Sequence, residues 1–261
     1  VNFDGSKFAK GLSLYASTFD SDALFRRTKF FVCADFSRVR FEGEATFIGS
    51  DFHTNKSLKF DRAVFKYPCD FITVTFHGPS SFKSCQFIGP CNLSGARFKK
   101  NYPLLEGAVL HQKTVITAKK EYWPSSQNCE QNPEEAKATC EILREQMEAQ
   151  GLHEQAHFFF RREMHFARKT GSFWRAIPNW LFYVVSDYGY SILLPFVWLY
   201  NFWMGGALIF LQFTELTKFK SLGLSISNLL QITGLQRAYW PDVIECLPWG
   251  LKFLGGAQTL L

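Results

Sequence analysis

The sequence predicts a four-sided β-helix in its N-terminal part, joined through a helical hairpin to a membrane module. Three observations carry that reading. A large apolar residue recurs every five or six positions, two amphipathic stretches with capping signals lie between 132 and 170, and the stretch from Ile192 to Phe213 holds no charge. The expected boundaries are 1–118 for the β-helix, 119–172 for the loop and helical hairpin, and 173–261 for the membrane module.

The repeat comes first. Phe or Leu stands at 3, 8, 14, 19, 25, 30, 36, 41, 47 and 52 and, after a shift of two residues around "HTNKS", at 60, 65, 71, 76, 82, 87, 93, 98, 104 and 110. All are Phe except Leu14, Leu93, Leu104 and Leu110, and the residue two places earlier is nearly always small: Ala23, Ala34, Ala45, Ala63, Cys69, Cys85, Cys91, Ala96. Helices need spacings of three and four, and flat strands need two. A spacing near five means that the chain turns a corner each time and returns a side chain to one axis. Sides of five and six residues then close a coil of 22, and five coils at about 4.8 Å each make a rod of about 24 Å.

These residues resemble the pentapeptide-repeat family, whose unit reads small-[DN]-[LF]-x-x. "CNLSGARF" at 91–98 is a close match, while "GEATFIGSDF" and "SSFKSCQFIG" follow a Phe-rich variant. The resemblance covers roughly residues 1–112 and implies a right-handed quadrilateral β-helix. It puts Cys69, Cys85 and Cys91 in the core rather than on a metal, and Asn92 at a corner position rather than under a glycan. Some members of the family protect DNA gyrase by imitating DNA, which needs an acidic rod. This chain carries +6 net charge, and up to Lys113 it holds 16 Lys and Arg against 10 Asp and Glu. That balance argues against DNA mimicry. Arg26, Arg27, Lys29, Arg38, Arg40, Lys56 and Lys59 are scattered, so a solvated outer face is expected and no nucleic-acid partner. A stacked rod needs capped ends, and the absence of an N-terminal cap suggests truncation or a protein partner.

Next comes the hairpin. Asn132 reads as a cap, Pro133 suits the first turn, and Ala136, Cys140, Leu143 and Met147 share one face up to Gly151. A second helix from about Leu152 to Lys169 shows a stripe of Ala156, Phe159, Phe160, Met164 and Ala167. It opens on "HEQAH", so His153, Glu154 and His157 match the HExxH pattern of zinc peptidases. A catalytic zinc needs a third protein ligand, and neither Glu163 nor His165 lies close enough along the helix. Zinc peptidase is therefore the third-ranked reading. No nucleophile elbow, phosphate-binding glycine loop or paired carboxylates are visible, and neither an enzyme nor a cofactor is expected.

The third part reads as a membrane module. Ile192–Phe213 is long enough to cross about 30 Å of hydrocarbon, with Pro195 placed to kink it and Asn201 able to face a neighbouring helix. The preceding "SFWRAIPNWLFYVV" reads as an interfacial helix, with Trp174, Trp180 and Tyr183 in an aromatic belt. Arg161, Arg162, Arg168, Lys169 and Arg175 outnumber Lys218 and Lys220 across the span, which leaves the repeats in the cytoplasm by the positive-inside rule. Seven cysteines without regular spacing agree with a reducing compartment, and the polar N-terminus shows no signal peptide. "SLGLSISNLLQITGLQRAYW" is too short to cross, so a re-entrant or interfacial segment is expected, and "VIECLPWGLKFLGGAQTLL" begins a second span.

This portion, about residues 140–261, is similar to bacterial membrane-anchored pentapeptide-repeat proteins. The likeness rests on Phe160, Glu163, Arg168 and Lys169, on "SDYGYS" at Ser186–Ser191, and on a two-span module related to potassium-channel pores. It implies a homo-oligomer in the inner membrane with Asn228, Thr233, Gly234 and Gln236 in the pore or re-entrant segment, and Asp187 and Asn201 as polar residues of the boundary and the span. A potassium filter reads TVGYG. Thr233-Gly234-Leu235-Gln236 departs from it, which leaves potassium selectivity open. The competing reading is a membrane-tethered scaffold that binds a protein through the β-helix.

Overall fold

The computed structural model describes residues 1–53, 58–126, 129–170, 173–213, 222 and 224–226. The chain divides into two compact units, Val1–Ile177 and Pro178–Leu261.

The first unit begins as a parallel β-solenoid. Its strands are almost all two residues long and assemble into four parallel sheets, one per side. One sheet stacks Lys7–Phe8, Lys29–Phe30, Asp51–Phe52, Thr75–Phe76 and Arg97–Phe98, with Phe8, Phe30, Phe52, Phe76 and Phe98 in register. The step is therefore 22 residues, except for the 24-residue step from Phe52 to Phe76, which contains the shift seen in the sequence. Most rings stack on their equivalents in the next coil; neighbours meet edge-on, or tilted at 39–43° across the five-residue sides. Phe47 lies 5.0 Å from Phe25 and 4.8 Å from Phe71, both at 2°, while Phe36 approaches it at 87°. Offset stacking and edge contacts suit the ring quadrupoles, and the small residues at Ala23, Ala34, Ala45, Ala63, Cys69 and Cys91 leave room at the inner wall.

The alternation of five and six has a backbone cause. After Phe3, Leu14, Phe25, Phe36, Phe47, Phe60, Phe71, Phe82, Leu93 and Leu105 the chain makes a two-residue turn, and its second residue is left-handed: Gly5, Ala16, Arg27, Arg38, Gly49, Arg62, Thr73, Ser84, Gly95 and Gly107. These tight turns occupy the five-residue sides. The other corners are open bends that take six residues, and both departures from the 22-residue coil fall there. The first follows Phe52; the second follows Phe98.

That second departure corrects the sequence reading. Ser81 pairs with Leu104 and Gln86 with Val109, so Leu105 is the inward residue under Phe82 and Leu104 is only half-buried. One residue is added between 99 and 103. Tyr102 is accordingly not at an inner-wall position. It is fully buried in the layer that closes the stack, where its hydroxyl donates to Pro124 O at 3.2 Å. The last coil runs to Val115–Ile116, beside Asn92–Leu93.

Two helices complete this unit: α1, Pro133–Ala149, and α2, His153–Thr170. Asn132 Oδ1 accepts from Glu134 N–H at 3.0 Å and caps α1. Gly151, at φ +73°, ends it while Gly151 N–H donates to Glu148 O and Leu152 N–H to Met147 O, both at 2.9 Å. Ala136, Cys140, Leu143 and Met147 are buried, as the spacing predicts. On α2 the buried stripe is Ala156, Phe159, Glu163 and Phe166, while Phe160, Met164 and Ala167 are half-buried. The helix is rotated from the predicted face because a carboxylate occupies an inner position. Glu163 Oε2 accepts from Arg144 Nε at 2.8 Å, and Arg144 also reaches Glu148 at 3.0 Å.

The hairpin closes the C-terminal end of the stack. Trp123 lies on Phe98 at 4.9 Å and meets Phe159 edge-on at 5.0 Å. Thr139 Oγ1 donates to Pro103 O, and Gln150 Nε2 to Thr114 O, both at 2.8 Å. Arg162 Nη1 donates to Tyr102 Oη at 2.6 Å and Pro124 O at 2.7 Å, and Lys169 Nζ to Ser126 O at 3.1 Å. An apolar cavity of about 20 Å³ remains between the last rings and Leu143.

Helix α3 (Phe173–Ser186) runs across the boundary at 177/178, and in the second unit α4 (Leu193–Phe213) follows it through a turn whose residues Asp187, Tyr188 and Gly189 are all left-handed. Ser191 Oγ accepts from Leu194 N–H at 3.2 Å and caps α4. Pro195 stands in the first turn, where no intrahelical N–H bond is lost, so its position gives no cause for the expected kink. Trp203 Nε1 donates to Leu222 O at 3.1 Å, and Ser225 Oγ donates to Trp203 O at 2.7 Å.

Candidate functional site

Each open bend presents the residue after its inward Phe. In the sheet that contains Phe52 these residues are Ala9, Phe31, His53, His77 and Lys99. The ladder stacks them: Phe31 on His53 at 5.5 Å and 7°, then His53 on His77 at 4.4 Å and 24°. Asp51 lies on the outer face of the strand just before, and its two oxygens are shared between the rings. Oδ2 is 2.8 Å from His53 Nε2, and Oδ1 is 2.8 Å from His77 Nε2. The side chains are 27%, 35% and 24% exposed for Asp51, His53 and His77. Burial holds His77 below its ordinary value, against the pull of Asp51; Lys99 and His53 push the same way as burial. Among the described residues this is the one cluster of three ligand-type groups with donor atoms within 4.8 Å of one another.

HEQAH forms no such cluster among the described residues. His153 and Glu154 are exposed at the start of α2 and His157 is half-buried. No third donor joins them in a compact cluster among the described residues. Of the residues that carry the likeness, Glu163 bonds Arg144 across the hairpin, Arg168 meets His165 at 3.1 Å within α2, and Lys169 reaches Ser126. Cys69, Cys85 and Cys91 line the inner wall, and burial pushes the Cys69 and Cys85 thiols well up. Asn92 Oδ1 accepts from Ser94 N–H at 3.0 Å, a local turn bond.

Several outer charges of the solenoid are paired, mostly across coils. Asp4 holds Arg26 at 3.0 Å, Glu106 holds Lys83 at 2.9 Å, and Glu42 joins Arg40 and Lys66, whose hydrogen bonds hold the Glu42 carboxyl below its usual range.

For the membrane residues, Asn201 is exposed and its Nδ2 donates to Val197 O at 2.8 Å, within its own helix. Asp187 sits just past the end of α3, with its N–H donating to Tyr183 O at 2.8 Å, and Ser191 caps α4. Trp180 and Tyr183 are exposed on α3, at 53% and 42%. The predicted pore residues Asn228, Thr233, Gly234 and Gln236 lie outside the described residues, as does the start of the second span.

Sequence reasoning missed the Asp51–His53–His77 cluster. Its signal was present: His53 and His77 each follow an inward Phe and are one coil apart once the two-residue shift is counted.

Residues 60–104 match the sequence model of a family described as pentapeptide repeats (9 copies). No curated protein and no solved structure matches the chain. The family match and the parallel four-sheet architecture together make the N-terminal part a pentapeptide-repeat β-solenoid.

Proposed function

We propose that this pentapeptide-repeat protein is a non-enzymatic membrane protein, with its solenoid in the cytoplasm and its C-terminal part forming an oligomeric, ion-channel-like module. One observation carries the membrane step. Leu193–Gln212 has a mean hydropathy of 1.5 yet only 17% of it is buried. A core helix of a water-soluble protein hides its apolar surface, whereas Leu193, Phe196, Val197, Leu199, Tyr200 and Leu208 are exposed on several faces of α4. At 1.5 Å per residue, α4 extends for about 32 Å, close to the hydrocarbon thickness of about 30 Å. Contiguous apolar surface of that extent calls for lipid or for another protein.

The channel-like part rests on the likeness of residues 140–261 to two-span modules. It is separable from the membrane part by experiment. The chain is expected in the membrane fraction, resistant to alkaline carbonate, with the repeats accessible to protease only from the cytoplasmic side. Recovery in the soluble fraction overturns the proposal. Purified in detergent, it is expected as a homo-oligomer that conducts ions in planar bilayers. A monomer that stays silent across ionic conditions, and keeps its cellular activity when an unrelated anchor replaces residues 173–261, favours the tethered scaffold instead.

A further inference from the structure

The strongest unassigned chemistry lies on the flank of the solenoid. We propose that Asp51, His53 and His77 bind a divalent first-row transition-metal ion of zinc's class, which clips together the two coils separated by the 24-residue step. The donor set is two imidazole nitrogens and one carboxylate oxygen. Such a set suits borderline cations; hard cations prefer oxygen alone, and cuprous ion prefers sulfur. Three protein ligands with open positions are a complete set for one zinc ion that also takes solvent or a group from a partner.

The geometry needs little rearrangement. The donor atoms already converge within 4.8 Å, on side chains carried by neighbouring, in-register strands. Bound zinc sits at about 2.0–2.2 Å from N and O donors, so side-chain rotation must draw the more widely spaced donors together by about an ångström and open the 2.8 Å contacts of Asp51 slightly. Each Nε2 would exchange its contact with Asp51 for the metal, while the ring proton resides on Nδ1. Lys99 stands in the same column one coil beyond His77, and its N–H donates to Phe76 O at 3.0 Å. Its ammonium opposes a bound cation, which gives the proposal a second, independent handle.

The alternative is a purely structural His–Asp–His hydrogen-bonded ladder, and the two accounts differ in what they predict for metal. The full chain, purified in detergent and stripped with chelator, would be titrated with Zn²⁺ against a chromophoric competitor, and with Co²⁺ followed by visible absorption. One equivalent is expected at micromolar free zinc, with a Co²⁺ spectrum lacking thiolate charge-transfer bands, and zinc should raise the melting temperature. His53→Gln and His77→Gln should each weaken binding by more than the ~10–100-fold that loss of an outer-shell partner costs. Asp51→Asn, which keeps the ladder's size and hydrogen-bonding capacity, should also weaken it. Lys99→Gln should tighten it. Melting temperatures of the metal-free variants close to the parent's establish that the fold is intact. The double substitution His153→Gln/His157→Gln should change nothing. Absence of binding at micromolar zinc overturns the proposal. So does affinity unchanged in His77→Gln and Asp51→Asn, or lost with His153 and His157.

Discussion

The corner residues show how little freedom the coil leaves a single position. Six of the ten left-handed corners are not glycine, and they persist because the hydrogen bonds between coils fix the turn on both sides. At the open bends the constraint is space. A Cβ on Gly89 would lie 2.3 Å from the carbonyl carbon of Tyr67 and 2.8 Å from Pro68 N, both backbone atoms that cannot step aside. Gly89→Ala should therefore destabilise the solenoid by about 1–3 kcal/mol, as overpacking does. Ile88→Ala next to it, at a side chain 55% exposed, should stay within about 0.5 kcal/mol. Thermal unfolding of the two variants checks the difference. Glycine at this bend cannot be read from local spacing, because the clash is with the coil 22 residues earlier.

At the scale of elements, a largely buried ion pair links the two helices of the hairpin. Glu163 is 8% exposed and Arg144 is 21%, and the charge-assisted bonds to Glu163 and then to Glu148 raise the Arg144 pKa. Replacing Arg144 by Met leaves an unpaired buried carboxylate and should cost about 3–5 kcal/mol. The double substitution Arg144→Met/Glu163→Leu should recover much of that loss, since two apolar groups of similar size leave no charge behind. Urea unfolding followed by helical circular dichroism would measure both; equal losses in single and double variants would deny the pair its role. The sequence marked both helices and the cap at Asn132 correctly, because caps and periodicity are local. It misplaced the face of α2. A carboxylate in the inner stripe is legible only when its partner on α1 is known, and that pairing belongs to the packing of two helices. The same limit applies to the Asp51–His53–His77 cluster, whose members are one coil apart.

For the whole molecule, the membrane reading stands on surface rather than on length alone. Lysines placed in the middle of α4, at Leu199 and Phe202, should each raise the cost of insertion by about 2.5–3.5 kcal/mol and shift the chain from membrane to soluble or degraded fractions. Lysine at Tyr67, exposed on the solenoid, should leave the distribution unchanged. Equal partitioning of all three variants would remove α4 from the membrane. The sequence by itself determined the coil: its 22-residue period, its ring-filled axis and its two-residue shift, because every coil repeats the same local geometry and the signal is multiplied by repetition. It also determined the uncharged stretch, since composition alone defines it. Only the tertiary structure decided that Leu105 rather than Leu104 faces inward, that Arg162 ties the closing layer at Tyr102, and that one carboxylate is shared by two histidines. Each of these depends on where a residue falls after the chain has travelled around the axis, and a single inserted residue at a bend resets that phase.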